Sequence, residues 1–594
     1  MTRALRSPSR GLAAAATVGA LLLTPLAVTG ALTPAAVADA AADCATPVDV
    51  STLSKGDTVT ALSVVSGTTP EEFPGTVLGV VTDGIAPGVD LVMIDFGGTG
   101  ANPAMDDAGG IWQGMSGSPV YVGDPADGNI VGAIAYGLSY GPSPIAGVTP
   151  FSAMDGYLPS ASTRSGSVDV TGAEARAISR ADASTTTAQA AQGFRRLGSG
   201  LTLSGVDATT LATARKAAAK NGLTLATRKF AAASGTAGRA ADTTVDDVAA
   251  GGNLAASVAY GDITMAGVGT STSVCGGEVV AFGHPLIQAG EVTYGLHPAD
   301  AVYIQPDPAW APFKMANLGD PVGTITQDRL TGITGELGVL PDVASVTSSY
   351  TAGSTSKDLS TDVYTSDYLP DVTFYSAYTG TDLVLDGDAM GTQEQTWTIT
   401  GSHDGEAFTL TGEDTFASSS WWGGYTAAAD TANLVYYLGR IDGVEVDSVD
   451  VTATQTSEEA LSWRVVGVEQ RLGGTWKRVT RKHDLVLREG TLHLRAVVRS
   501  GGETAHVALP VDIDDVGRGS GYGYVTGGDS LYSRTRAATF EGFVDKLDAR
   551  VANDEVRLYL RIRGAGTREV VGSLPRDGVV KRSQWFSVTG GAKG

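Results

Sequence analysis

Short apolar runs separated by turns that contain Gly or Pro dominate this chain, and Val/Thr alternation recurs along most of it. That pattern predicts strands rather than helices. Within 51–160, strands are expected over 58–65, 74–81, 91–94, 118–121 and 130–135, spaced as in a small barrel lobe. From 161 to 187 the composition shifts to Ser, Thr, Ala and charge, with no strand pattern. A helix is expected over 208–220, with Asp207 as N-cap, Lys216 and Lys220 near its end and Asn221-Gly222 as the stop. Residues 231–251, rich in Ala, Gly, Thr and Asp, read as a flexible linker before a second β lobe. Further on, clean alternation over 396–400 and 407–411 flanks a turn at 401–405 and predicts a hairpin. Strands over 461–469, 476–479, 484–487, 491–498 and 507–511 follow at the spacing of an immunoglobulin-type sandwich. Residues 431–438 are the one helix expected in that region. Trp421-Trp422 looks like an exposed aromatic pair, with core packing the default and a substrate or carbohydrate platform the alternative.

The resulting expectation is a mainly β, multi-domain protein. It divides into a signal peptide (1–40), a first β lobe (41–160) and a spacer with a short helix and flexible linker (161–252). A second lobe (253–345), a β-rich module (346–455) and a β-sandwich module (456–594) complete it. The leader has all three parts of a secretory signal: Arg3, Arg6 and Arg10, then an apolar Ala-rich run, then Ala38-Asp39-Ala40 for cleavage. No second apolar stretch is long enough to span a bilayer, so the mature chain is expected to be secreted or associated with the cell surface. A net charge of −23 argues against nucleic acid or anionic lipid as partner. Two cysteines in an exported chain, Cys44 and Cys275, read as one disulfide, the alternative being two buried thiols. Asp512, Asp514 and Asp515 lack the loop spacing of a calcium site; no metal and no organic cofactor are implied. Nothing in the sequence fixes the oligomeric state.

The chemistry-bearing stretch is Gly114-Met115-Ser116-Gly117-Ser118-Pro119. Glycines on both sides of Ser116 permit a tight turn that projects a hydroxyl. The Gly114 and Ser116 N–H groups could then serve as oxyanion donors, as in chymotrypsin-type peptidases. The competing reading is a Gly/Ser-rich hairpin loop with no chemistry. A serine needs a base, and the first of the six histidines is His284. It stands where the apolar run Val279-Val280-Ala281-Phe282 stops at Gly283, with Pro285 blocking continuation, a suitable seat for a general base.

These motifs resemble those of the SpoIVB-like serine peptidase family. Gly109-Gly110-Ile111-Trp112-Gln113-Gly114-Met115-Ser116-Gly117-Ser118-Pro119-Val120-Tyr121 looks like its nucleophile motif. Gly267-Val268-Gly269-Thr270 with Ala281-Phe282-Gly283-His284-Pro285 resembles its histidine motif. Gly323-Thr324-Ile325-Thr326-Gln327-Asp328-Arg329-Leu330-Thr331-Gly332-Ile333-Thr334-Gly335 is a third match. The resemblance covers roughly 50–160 and 255–340, with the serine motif before the histidine motif, a permuted order. It implies a two-lobed trypsin-like β-barrel core in which Ser116 is the nucleophile, His284 the general base and the Gly114 N–H an oxyanion donor. The family's Asp would align with Ala101; Asp107 or Asp106 is the nearest candidate, with Asp95 next, and a bare dyad stays open.

Three functions are compatible with this pattern. One is an exported serine endopeptidase acting on a protein or peptide substrate through an acyl-enzyme, able in principle to process itself. A second is an inactive peptidase-fold protein serving as an extracellular binding module. The third is a surface interaction protein that works through its C-terminal β region.

Overall fold

The computed structural model describes residues 44–155, 167–197, 201–206, 211–212, 231–232, 242–308, 311–386, 390–419, 422–480, 483–530 and 536–590. The segment expected as a signal peptide, most of the helix expected over 208–220, much of the expected linker, and the Trp421-Trp422 pair as side chains lie outside these residues.

Six antiparallel strands form the first lobe: β1 (Thr58–Ser63), β2 (Glu71–Ala86), β3 (Val89–Asp95), β4 (Pro119–Val122), β5 (Asn129–Leu138) and β6 (Ile145–Pro150). Hydrogen bonding runs β1-β2-β3-β6-β5-β4 and returns from β4 to β1, which closes the barrel and leaves no edge. The inward positions of these strands, among them Val59, Val77, Val92, Ile94, Val131 and Val148, fill its interior.

The second lobe repeats the plan. Its strands are β7 (Asn253–Gly261), β8 (Thr264–Cys275), β9 (Glu278–Ala281), β10 (Gly290–Gln305), β11 (Gly323–Arg329) and β12 (Gly332–Leu337). They pair in the ring β7-β8-β9-β12-β11-β10, so both barrels carry the strand order 1-2-3-6-5-4. Two such closed barrels are the architecture of a trypsin-like core.

The stretch expected as a spacer contributes to both lobes. Ser167–Val168 and Phe194–Arg196 extend the first sheet beside β5, and helix Gly172–Ala181, opened by a Thr171/Glu174 capping box, buries Ala175 and Ile178. Thr202–Ser204 pairs with β8. Residues 242–251 are not a loose tether: they form a 3₁₀ turn at Val245–Asp247, and the Gly251 N–H donates to the Ser271 carbonyl.

Beyond the second barrel the sheet continues without a break. Strand Thr355–Val363 pairs with β7 and leads through Ala344–Ala352 and Val444–Ser457 to the hairpin Gly391–His403/Glu406–Ser418. That hairpin turns at Asp404-Gly405, both with positive φ, as a tight two-residue turn requires. Helices Leu369–Leu385 and Trp422–Leu438 pack on this sheet and on each other through Phe374 and Tyr425, whose rings meet edge-on at 5.3 Å. The helix expected over 431–438 is therefore the end of a longer one, and the region holds two helices that the pattern did not predict, Leu369–Leu385 and Phe540–Asp548. A sandwich of two five-stranded sheets closes the chain. Glu503–Ile513 alternates buried and exposed positions along most of its length, and its inward side chains share one core with Leu558 and Leu560 of the facing sheet.

Candidate active site

Between β3 and β4 the first barrel inserts helix Pro103–Ala108 and the Ser116 loop. Trp112 and Met115 anchor that loop by burying their side chains in the barrel core, Trp112 edge-on against Phe73 at 5.6 Å. Full burial of side chains this large contributes about 1.5–3 kcal/mol each. Gly114 and Gly117 take φ values of 103° and 98°, which a side chain would resist. The Met115 N–H donates to Trp112, that of Gly117 to Ile134 and that of Ser118 to Met115. Among the described residues, the Gly114 and Ser116 N–H groups have no acceptor. Two free donors around one serine are what an oxyanion site requires.

His284 occupies the equivalent connection of the second barrel, between β9 and β10. Phe282 and Gly283 both adopt positive φ, 70° and 68°, so the strand ends in a sharp left-handed bend. For a phenylalanine that backbone is strained, and the neighbourhood must hold it in place. The Thr149 hydroxyl does so from β6 of the first barrel by donating to the Gly283 carbonyl at 2.7 Å.

The two connections meet: Ser116 Oγ lies 2.8 Å from His284 Nε2 across 168 positions of sequence. His284 Nδ1 lies 2.8 Å from the Pro285 carbonyl oxygen. A carbonyl only accepts, so Nδ1 carries the proton and Nε2 offers its lone pair to the serine hydroxyl. Burial holds the imidazole down at about 4, a shift the Pro285 carbonyl opposes and Arg196 reinforces, so the ring is neutral at pH 7. Ser116 is 2% and His284 3% exposed, which keeps the pair dry.

Strand β8 straps the serine loop down. Thr270 donates its N–H to the Ser116 carbonyl and its hydroxyl to the Gly114 carbonyl, and the Thr272 hydroxyl donates to the Gly117 carbonyl. Lys314 lies against Gly114, where an added β-carbon would meet the lysine stem at 2.7 Å, and its Nζ donates to Asn253 at 2.7 Å. Sequence reasoning missed Thr272, Lys314 and Asn253, and Thr270, though part of the histidine motif, carries no local signal of its role. The disulfide joins Cys44 to Cys275 at the end of β8, with Cα atoms 5.1 Å apart.

Neither candidate acid is brought to the imidazole. Helix Pro103–Ala108 turns Met105 and Ala108 into the core, which leaves Asp106 and Asp107 on its solvent face. Moreover, the Pro285 carbonyl already occupies Nδ1. Asp95 instead accepts the Gly97 N–H at 2.9 Å. Ala101, a non-polar residue, supplies no carboxylate. No cluster of metal-ligating side chains occurs among the described residues.

A second Ser/His pair shows what separates contact from chemistry. Ser257 Oγ lies 2.7 Å from His297 Nε2, and His297 Nδ1 lies 2.9 Å from the Gly319 carbonyl. Yet Ser257 is mid-strand on β7 and His297 sits on β10, both fully enclosed. Nothing there projects a hydroxyl from a glycine turn beside free N–H groups; that pair is a satisfied piece of core. Comparison of the chain with family models, with curated proteins and with solved structures returned no match.

Proposed function

We propose that the chain is an exported serine endopeptidase of the SpoIVB-like type, in permuted order. One observation carries this reading: Ser116 Oγ stands 2.8 Å from a neutral His284 Nε2, in a loop whose Gly114 and Ser116 N–H groups are unused. In the mechanism, Nε2 takes the Ser116 proton as Oγ adds to the scissile carbonyl. The Gly114 and Ser116 amides hold the oxyanion, and the Nδ1–H bond to Pro285 supports the imidazolium. Collapse expels the amine, which receives the Nε2 proton. Water then attacks the acyl-enzyme with His284 again as base, releasing the acid and restoring Ser116.

The near-complete burial of both groups favours a second reading, a peptidase fold kept as an interaction module. Peptide-library cleavage followed by mass spectrometry separates the two. The peptidase reading expects cleavage by the wild type that disappears in both Ser116→Ala and His284→Ala, with the fold unchanged. Cleavage that survives in Ser116→Ala places the nucleophile elsewhere, and absence of cleavage by the wild type favours the module.

A further inference from the structure

Among the described residues no carboxylate bonds the imidazole directly, but Asp328 is connected to it. Asp328 stands near the end of β11, in the second barrel, and is 0% exposed. Its Oδ1 accepts the Leu286 N–H at 2.8 Å, and its Oδ2 accepts the N–H groups of Ile287 at 2.9 Å and Ala289 at 3.3 Å. The segment that follows His284 therefore wraps around this one side chain, with Gln288 at a φ of 62° completing the turn. Three N–H groups converging on two oxygens match the ionised, acceptor-only form.

The decisive detail is covalent. The Pro285 carbonyl that accepts the His284 Nδ1–H and the Leu286 N–H that donates to Asp328 belong to the same peptide group. An amide whose N–H donates to a carboxylate carries more negative charge on its oxygen and becomes a better acceptor. We infer that Asp328 is the positioning acid of this site, holding and polarising the His284 ring through the Pro285–Leu286 peptide rather than by touching it. The inference deepens the serine-peptidase reading and rests on it.

This arrangement accounts for three features at once. Asp328 fixes the loop after His284 by three hydrogen bonds, so the ring cannot swing away from Ser116. The relay gives Nδ1 a strengthened acceptor, which selects the tautomer the base needs. It also opposes the two influences that lower the ring's proton affinity, burial and Arg196. Burial raises the Asp328 carboxyl and the backbone N–H groups that converge on it oppose that rise, while the buried phenol of Tyr294 beside it is pushed well above its ordinary range and stays neutral.

The test uses the full exported chain with ¹⁵N-labelled histidine, His284 being assigned by the loss of its signals in His284→Gln. In the wild type the neutral ring should carry its proton on Nδ1, with that proton far downfield. Asp328→Asn should move the Nδ1 proton upfield and lower kcat about 10- to 100-fold with KM changed less than about 2-fold. Asp328→Glu should restore the Nδ1 signal and part of kcat. An Asp328→Asn protein that folds with its Nδ1 signal unmoved overturns the inference. If Asp328→Asn does not fold, the wild-type tautomer decides: a proton on Nε2 overturns the relay, and one on Nδ1 with a restored signal in Asp328→Glu supports it. The spectroscopic arm needs no turnover, so a chain inactive on every peptide would remove the peptidase reading while Asp328 is still judged.

Discussion

At Gly117 an added β-carbon would sit 1.9 Å from the Thr270 carbonyl oxygen and 2.6 Å from the Phe282 nitrogen, on a backbone with φ of 98°. Both obstacles are main chain on the opposite barrel, so no rotamer change relieves them. Gly117→Ala is therefore expected to push the serine loop off β8, cutting activity by at least about 100-fold and costing about 2–4 kcal/mol. Peptide turnover and a denaturant titration on the same preparation check both numbers. The two buried histidines give a second expectation at this scale. Burial holds His284 and His297 down at about 4, below the ordinary 6.5. Between these values the unfolded chain binds protons that the folded chain does not. The contribution of each ring is thus fully present above about pH 6.5 and is lost as the pH falls toward 4, by about 3 kcal/mol at most. Unfolding midpoints at pH 7 and pH 4.5 should fall further apart in the wild type than in His297→Gln; equal gaps would contradict this.

Among the elements, β8 carries the largest share of the site's geometry. Its Thr270 and Thr272 hydroxyls hold carbonyls of the serine loop, and both lie in the interface between the barrels. Replacing both with Val keeps the β-branched shape and removes the two donors. Each lost bond should cost about 1 kcal/mol, and the loosened loop should lower kcat about 10-fold or more. If kcat stays at the wild-type level, the strap is not what sets the nucleophile. Ser116 and His284 were legible because each has a local signature, a glycine-flanked turn and a strand stopped by Gly-His-Pro. The acid was not legible for the opposite reason. Asp328 lies 44 positions beyond His284 (328 − 284) and works on backbone N–H groups, which any residue type but proline supplies over 286–289. The carboxylates that do stand just before the serine, Asp106 and Asp107, lie on the exposed face of a short helix. Helix Leu369–Leu385 escaped for another reason. It is buried on every side over 369–381, so it shows no apolar stripe, and its Thr, Tyr and Gly content reads as strand or turn.

In the whole molecule, the serine and histidine loops occupy matching places. Ser116 and His284 both lie on the connection from the third to the fourth strand of their barrel. Two barrels of one topology, facing each other, bring those connections together whichever comes first in the chain. Flanking turns gave most of the first-barrel strands, several of which, such as β5, are buried on both faces, whereas alternation gave the hairpin at 391–418 and the sandwich strands, which keep a period of two along much of their length. They did not reveal that the second barrel shares a continuous sheet with residues 344–457, since pairing partners leave no mark on a single strand. The Cys44–Cys275 bond ties the start of the first lobe to the end of β8 across 231 positions. Reducing it, or replacing both cysteines with Ser, should lower stability by about 3–5 kcal/mol, read as a drop in the denaturant midpoint. Unchanged midpoints with and without reductant would show that the bond does not brace the two lobes.

The central claim is that Ser116 is a nucleophile activated by His284. Its most direct test is covalent labelling of the purified protein with a fluorophosphonate, followed by peptide mapping of the modified residue. The expected result is a single adduct on Ser116, absent in Ser116→Ala, strongly reduced in His284→Ala, and with none on the enclosed Ser257. Labelling that is absent from the folded wild type at every pH tried, or that falls on another serine, would contradict the account.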